Sequence, residues 1–307
     1  MYILTTGCKF ADIDAFACLY AYKELLDLEA KPNEVIIEGE LNYSIVSKYK
    51  KYKFYKTQFN YEEFNRNFSV IIVDVSNPEM FPKFVKEGKV AEVIDHHKGF
   101  EEYWYERIGD RAIIEWIGAA ATLVWRRYKK SGMHTKISPI SAELLAAAII
   151  SNTLNFQAKI TQQEDKDSYE ELKSYFEFHK NFEENYFKEV QNAIEDDLLS
   201  ALKNDSKIEN NLMIGQLEIW KADKLFKDKL DVLQQFLNSS KKEYSFLNLI
   251  EIGKNRNIIM CKDKKTYKFI INLTRKFSDN LKFDDKKLLI YTPNVILRKE
   301  LLNQLIN

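Results

Sequence analysis

The chain of 307 residues is poor in the residues that punctuate or cross-link a fold. It has three cysteines, Cys8, Cys18 and Cys261, too few and too scattered for a disulfide framework or a zinc knuckle, which implies a reducing, cytoplasmic setting. Nine glycines and five prolines in this length imply long regular elements. There is no Gly-Gly pair, no GxGxxG and no GxxxxGK[ST], so the common nucleotide-cradling loops are missing. Net charge is also missing, because 46 basic residues cancel 46 acidic ones. That excludes a generally basic binder of nucleic acid duplexes and an acidic disordered chain. No apolar run reaches the ~18 residues of a membrane span. The N-terminus lacks a basic n-region and reads as a strand rather than a secretory leader.

What is present is a large apolar fraction, 45%, in a length that suggests about two domains at roughly 150 residues each. In the first half, short apolar runs alternate with helical patterns, as in a parallel sheet covered by helices. Strands are expected at 1–5, 34–37, 69–75 (SVIIVDV) and 90–94, and helices at 14–28, 117–130 and 141–150. The nearly continuous SVIIVDV run predicts a central strand buried on both faces. Residues 162–210 are dense in charge and aromatics and read as long solvated helices. The aromatic stretch 175–187 reads as a helix against the core, with a homodimer surface as the alternative. Beyond it, strands alternating with one helix are expected over 212–220, 229–239, 245–251, 256–261, 267–273 and 287–291, with a final helix at 294–306. The expected domains are 1–190 and 206–307, joined by a linker at 191–205.

In an open α/β sheet a ligand sits outside the carboxyl ends of the strands. Those ends carry acids here. GCKFADIDA supplies Cys8, Asp12 and Asp14; the central strand ends in Asp74; the next ends in Asp95, His96 and His97. Ser151-Asn152-Thr153 follows a buried apolar segment. Taken singly, a strand-end Asp is an ordinary helix cap and Asp-x-Asp an ordinary turn. Taken together, carboxylates and imidazole at one rim repel without a cation and suit Mn²⁺, Mg²⁺, Co²⁺ or Zn²⁺. Asp74, alone on its strand between two clusters, is placed to bridge two ions. Cys8 is either a ligand or a small strand-end residue. Cys18, on the apolar helix face, reads as core.

These motifs resemble the DHH phosphoesterase superfamily, whose Asp-His-His stands here as Asp95-His96-His97. GCKFADIDA, IIVDVS, IDHHK and AAAIISNTLNF are similar to its successive motifs. The tail NVILRKELLNQLIN resembles the Ser-Arg-Lys signature of the second domain, DHHA2, of family II manganese-dependent inorganic pyrophosphatases and exopolyphosphatase-like proteins. The resemblance implies an α/β protein: an N-terminal parallel-sheet DHH domain, a smaller mixed α/β DHHA2-like domain, and an active site in the cleft between them. It implies two divalent ions, Mn²⁺ first, with Mg²⁺ or Co²⁺ as substitutes. One would take Cys8, Asp12 and Asp74; the other Asp14, Asp74, His96 and Asn152, with Asp95 behind them. His97 would face the phosphate, and Arg298, Lys299 and Lys207 would hold it. The implied function is hydrolysis of phosphoanhydride bonds in pyrophosphate or short polyphosphate. A nucleotide or other small phosphoester, and a degenerate phosphate-binding relative, are the alternatives. The departures are Cys8 for His, Phe10-Ala11 for Asn-Pro, Asn152 for Asp, and Leu297 for Ser.

Overall fold

A computed structural model describes residues 1–60 and 68–306 and divides the chain into two compact units, 1–183 and 184–307. In the first unit the strands are β1 (Tyr2–Thr5), β2 (Phe10–Ala11), β3 (Asn33–Ile36), β4 (Glu40–Leu41), β5 (Ser69–Val73), β6 (Lys89–Asp95) and β7 (Ala112–Ile114). The helices are α1 (Ile13–Leu28), α2 (Ser47–Lys50), α3 (Glu101–Ile108), α4 (Ala120–Lys130), α5 (Pro139–Asn152) and α6 (Gln163–Leu172), with α7 (Phe182–Asp196) leading onward. The second unit continues with α8 (Leu198–Asn204), β8 (Ser206–Glu209), β9 (Leu212–Ile219), α9 (Ala222–Asp228), α10 (Leu230–Ser239), β10 (Tyr244–Glu251), β11 (Arg256–Cys261), α11 (Lys264–Thr274), β12 (Lys282–Asp284), β13 (Leu289–Tyr291) and α12 (Arg298–Ile306).

The first sheet is all parallel, in the order β3-β1-β5-β6-β7, so the SVIIVDV strand is its centre, as its apolar run predicts. Alternate residues of its strands, Ile3, Val70, Ile72 and Val93, face one core with Phe81, Phe84 and Trp104. Helix α1 packs against α4 and α5. It is buried around most of its circumference, which explains why its apolar residues show little one-sided patterning. The parallel order makes every carboxyl end point to one rim, and β5 and β6 deliver Asp74 and Asp95 there side by side.

The second sheet is mixed, in the order β12-β13-β11-β10-β9-β8, with only β9 and β10 parallel. Two parallel-sheet-plus-mixed-sheet units are the α/β architecture expected from the sequence. Residues 191–205 span the end of α7 and all of α8, with Asp197 and Asp205 as the caps of α8. One helix is expected among the ranges between 212 and 291, but two of them are helical: 229–239 falls largely in α10 and 267–273 in α11. Asp263 caps α11 by accepting the Thr266 amide at 2.7 Å. Its buried residues Thr266, Tyr267, Ile270, Leu273 and Thr274 recur at helical spacing, a pattern that the apolar run FIINL obscures. Helices α3 and α6 and strand β7 refine regions left undivided by the sequence reading. Strand β7 has three residues, too few for a periodic signal.

Candidate metal centre

The rim of the first sheet is built by chain ends with little freedom. Asp12 is the N-cap of α1, its carboxylate accepting the Ala15 amide at 3.0 Å. Asp14 follows in the first turn and is fully buried. Asp74 leaves β5 in the left-handed conformation, φ 58°, which Asp tolerates better than most residues. Its amide bonds the Ile94 carbonyl at 2.8 Å and so continues the β5–β6 ladder to the rim.

Among the described residues, the His, Cys, Asp or Glu grouping whose ligand atoms fall within 4.8 Å of one another is Asp74, His96 and His97. His96 Nε2 lies 3.4 Å from Asp74 Oδ1 and 3.8 Å from Asp14 Oδ2. The Ile117 carbonyl stands 3.0 Å from His96 Nδ1 and can only accept, so that nitrogen carries a proton and Nε2 is the ring nitrogen left to ligate an ion. Asp74 Oδ1 is buried and has no hydrogen-bond partner. Burial pushes the Asp74 carboxyl well above the usual range, and the charges of Asp12 and Asp14 push it further, against His97. A buried, orphaned carboxylate oxygen facing an imidazole lone pair fits a divalent cation.

Asp95 plays a different part. One of its oxygens accepts the His96 amide at 2.7 Å, the His97 amide at 3.1 Å and the His97 Nδ1 proton at 2.8 Å. Burial alone would raise Asp95, but these bonds and the Ser76 hydroxyl hold it below its ordinary value. His97 is exposed, and its pKa is raised: partial burial lowers it, and the Asp95 bond and the Asp74 charge outweigh that.

Asp14 is saturated. Its Oδ2 accepts the Ala120 amide at 2.8 Å and the Asn152 side-chain amide at 2.6 Å. Its Oδ1 accepts the Ala121 amide at 2.8 Å and the Cys18 thiol at 3.5 Å. Burial raises Asp14, while His96 and the two α4 amides pull the other way and Asp12 adds to the rise. The loop that aims those amides is held by Asp165, which accepts from Gly118 N at 2.9 Å, Thr122 Oγ1 at 2.6 Å and Gln162 N at 2.8 Å. A Cβ on Gly118 would stand 2.5 Å from both Asp165 Oδ2 and Thr153 Cγ2, so only glycine fits there. Sequence reasoning missed Asp165, because it sits in a stretch read as solvated. The signal available was the Gln162-x-x-Asp165 capping spacing.

A cavity of about 410 Å³ opens on this rim, lined by Asp12, Asp74, Asp95, His97, Lys98 and Phe100 among others. Lys98 Nζ sits 4.0 Å from the centroid of the Trp116 ring. Cys8 is half-buried, its amide bonding the Met80 carbonyl at 2.8 Å, and it belongs neither to the three-residue grouping nor to the cavity lining. Cys18 is buried, as expected of core.

The other predicted cations belong to the second unit. Arg298, first residue of α12, pairs with Asp205 Oδ1 at 2.7 Å and donates to the Asp205 carbonyl. Its amide donates to Gln216 Oε1 at 2.8 Å. The segment before it is fixed by buried amides: Asn257 Oδ1 accepts Ile296 N at 3.0 Å, and Asn248 and Asn257 both donate to the Ile296 carbonyl. That network was also not foreseen. Lys207, on β8, is exposed and lies 3.6 Å from Glu209. Lys299 is the second residue of α12.

No family model matches the chain. Proteins named probable manganese-dependent inorganic pyrophosphatase are similar over about half of the chain. The one from Lactobacillus delbrueckii subsp. bulgaricus is 28% identical over 169 residues, 55% of this chain and 53% of that protein. The one from Bacillus licheniformis is 30% identical over 174 residues, 55% and 54% respectively. The chain thus spans about half the length of the curated relatives it matches. Over nearly its whole length it shares a fold with a solved putative family II inorganic pyrophosphatase of Methanococcus jannaschii (TM-score 0.63, 19% identity, 98% of this chain and 96% of that one). It also shares a fold with an exopolyphosphatase-related protein of Bacteroides fragilis (TM-score 0.54, 17% identity, 99% and 90%). The chain is thus similar, over about half its length, to proteins named probable manganese-dependent inorganic pyrophosphatase, in line with the resemblance its motifs carry. Among the described residues, no helix is long and apolar enough to cross a membrane.

Proposed function

We propose that this chain is a divalent-metal-dependent hydrolase of phosphoanhydrides, with inorganic pyrophosphate or short polyphosphate as substrate. The observation that carries the reading is the buried, unpartnered Asp74 Oδ1 facing His96 Nε2 at 3.4 Å on a parallel-sheet rim. Asp74 and His96 would hold the ion, with His97 and Asp12 beside them. When bound, a divalent cation, Mn²⁺ by analogy with the relatives' names, supplies Lewis-acid charge to phosphate oxygens.

The chain's own residues supply the rest. Asp95 orients His97, keeps its Nδ1 protonated and favours the imidazolium, so Nε2 offers a proton or a charged hydrogen bond to a phosphate at the cavity mouth. Lys98 adds positive charge to the same wall. Arg298, Lys299 and Lys207 would bind the remaining phosphate charge, Arg through its planar fork. On the rim itself, His97 and Lys98 line the cavity and would face the charge that develops on the phosphate oxygens.

Phosphate release from pyrophosphate, tripolyphosphate and a nucleoside triphosphate, each with Mn²⁺, Mg²⁺ and Co²⁺, tests this reading. Release from pyrophosphate or tripolyphosphate with a divalent ion is expected. Preference for the nucleoside triphosphate would favour the nucleotide alternative. Silence across the panel would sink the hydrolase reading.

A further inference from the structure

Asp14 and Asp74 are both buried carboxylates at one rim, yet their oxygens are in opposite states. An ionised carboxylate offers about four acceptor positions. Asp14 has four donors on them: two backbone amides at the N-terminus of α4, the Asn152 side-chain amide and the Cys18 thiol. These donors fill its acceptor positions and leave no lone pair turned to an ion. Asp74 keeps a buried oxygen with no partner.

We propose that the centre takes a single divalent ion, at Asp74 and His96, and that Asn152 occupies the role of a second cation by donating to Asp14. The proposal rests on the metal reading above and replaces the two ions that the resemblance implies with one. An aspartate at 152 would behave in the opposite way. It could not donate, and it would place a second carboxylate within about hydrogen-bond distance of Asp14, where two like charges need a cation between them. Asn152 therefore decides the number of ions rather than ligating one.

The test counts ions and does not depend on turnover. Chelator-treated full-length protein is titrated with Mn²⁺ by calorimetry, and the electron paramagnetic resonance spectrum of the loaded protein is recorded. The wild type should bind one Mn²⁺ per chain with the spectrum of an isolated ion. Asn152→Asp should bind two, with the exchange-coupled spectrum of a pair about 3.5–4 Å apart. Its metal-free form should melt below the wild type and recover when Mn²⁺ is added. Two ions in the wild type would overturn the proposal and leave the hydrolase reading standing. A folded Asn152→Asp that still binds one ion would remove the role given to Asn152. If the wild type binds no Mn²⁺ at millimolar concentration, the metal reading falls and this inference with it.

Discussion

Asp95 holds His97 at 2.8 Å through Nδ1, and the same carboxylate oxygen gathers the backbone amides of both histidines. One buried anion thus sets the position of two imidazoles and the charge of one. Asp95→Asn keeps the shape and removes the charge. Hydrolysis should fall by roughly 10- to 100-fold, as for other partners of ligating or reacting histidines. The sign of the pH effect follows from the raised His97 pKa. Losing the anion lowers that pKa, so the alkaline decline in activity should move to lower pH. An unchanged alkaline limb in the pH profile would show that His97 does not act as the acid.

Asp74 carries a cost in the metal-free protein. Its carboxyl is raised above the ordinary range by burial and by the neighbouring acids. A raised carboxyl pKa means that the folded state loses stability as pH rises through it, whereas below the unfolded-state value the penalty vanishes. Asp74→Asn removes the charge and keeps a residue tolerant of φ 58°. In the presence of chelator the variant should melt a few degrees above wild type at pH 8.5, equivalent to about 1–2 kcal/mol, and gain less at pH 5. It should also lose Mn²⁺ binding and turnover. Equal melting at pH 8.5 would mean that the orphaned oxygen is not strained.

Much of this fold was legible and much of the site's wiring was not, for one physical reason. The central strand announces itself because burial on both faces demands an unbroken apolar run, and acids placed just after strands reveal the rim. The partners that decide whether an acid is free are backbone amides such as Ala120 and Ala121, more than 100 residues from Asp14 in the chain. A backbone amide has no side-chain signature, so no motif could show that Asp14 is saturated and Asp74 is not. The same blindness hid Asp165, and the β-like composition of FIINL hid α11.

Gly118 is the joint between that wiring and the fold. A methyl group there meets Asp165 and Thr153 at 2.5 Å, and both neighbours are buried. Gly118→Ala should destabilise the protein by about 1–3 kcal/mol, the usual cost of overpacking. Because Asp165 also fixes the turn before α4, the change should loosen the Ala120 and Ala121 amides from Asp14. Urea denaturation gives the first number and Mn²⁺ affinity the second. Full stability in the variant would show that the loop can shift without strain.

Arg298 allows a structural role to be separated from a functional one. Its guanidinium is paired with Asp205, a partly exposed contact whose net contribution to stability is about 0–1 kcal/mol. A charged hydrogen bond to a phosphate is worth more, about 1.5–3 kcal/mol, or roughly 10- to 100-fold in affinity. If Arg298 holds substrate, Arg298→Ala should raise KM for pyrophosphate by that factor while shifting the melting temperature only slightly. Asp205→Asn gives the opposite control: it releases the guanidinium without removing it, so KM should stay level or fall. Arg298→Lys should recover part of the loss, since it keeps the charge and gives up the fork. The decisive outcome is the split between KM and stability. A variant that melts early with an unchanged KM would mean that Arg298 serves only to fasten the start of α12 to Asp205 and Gln216.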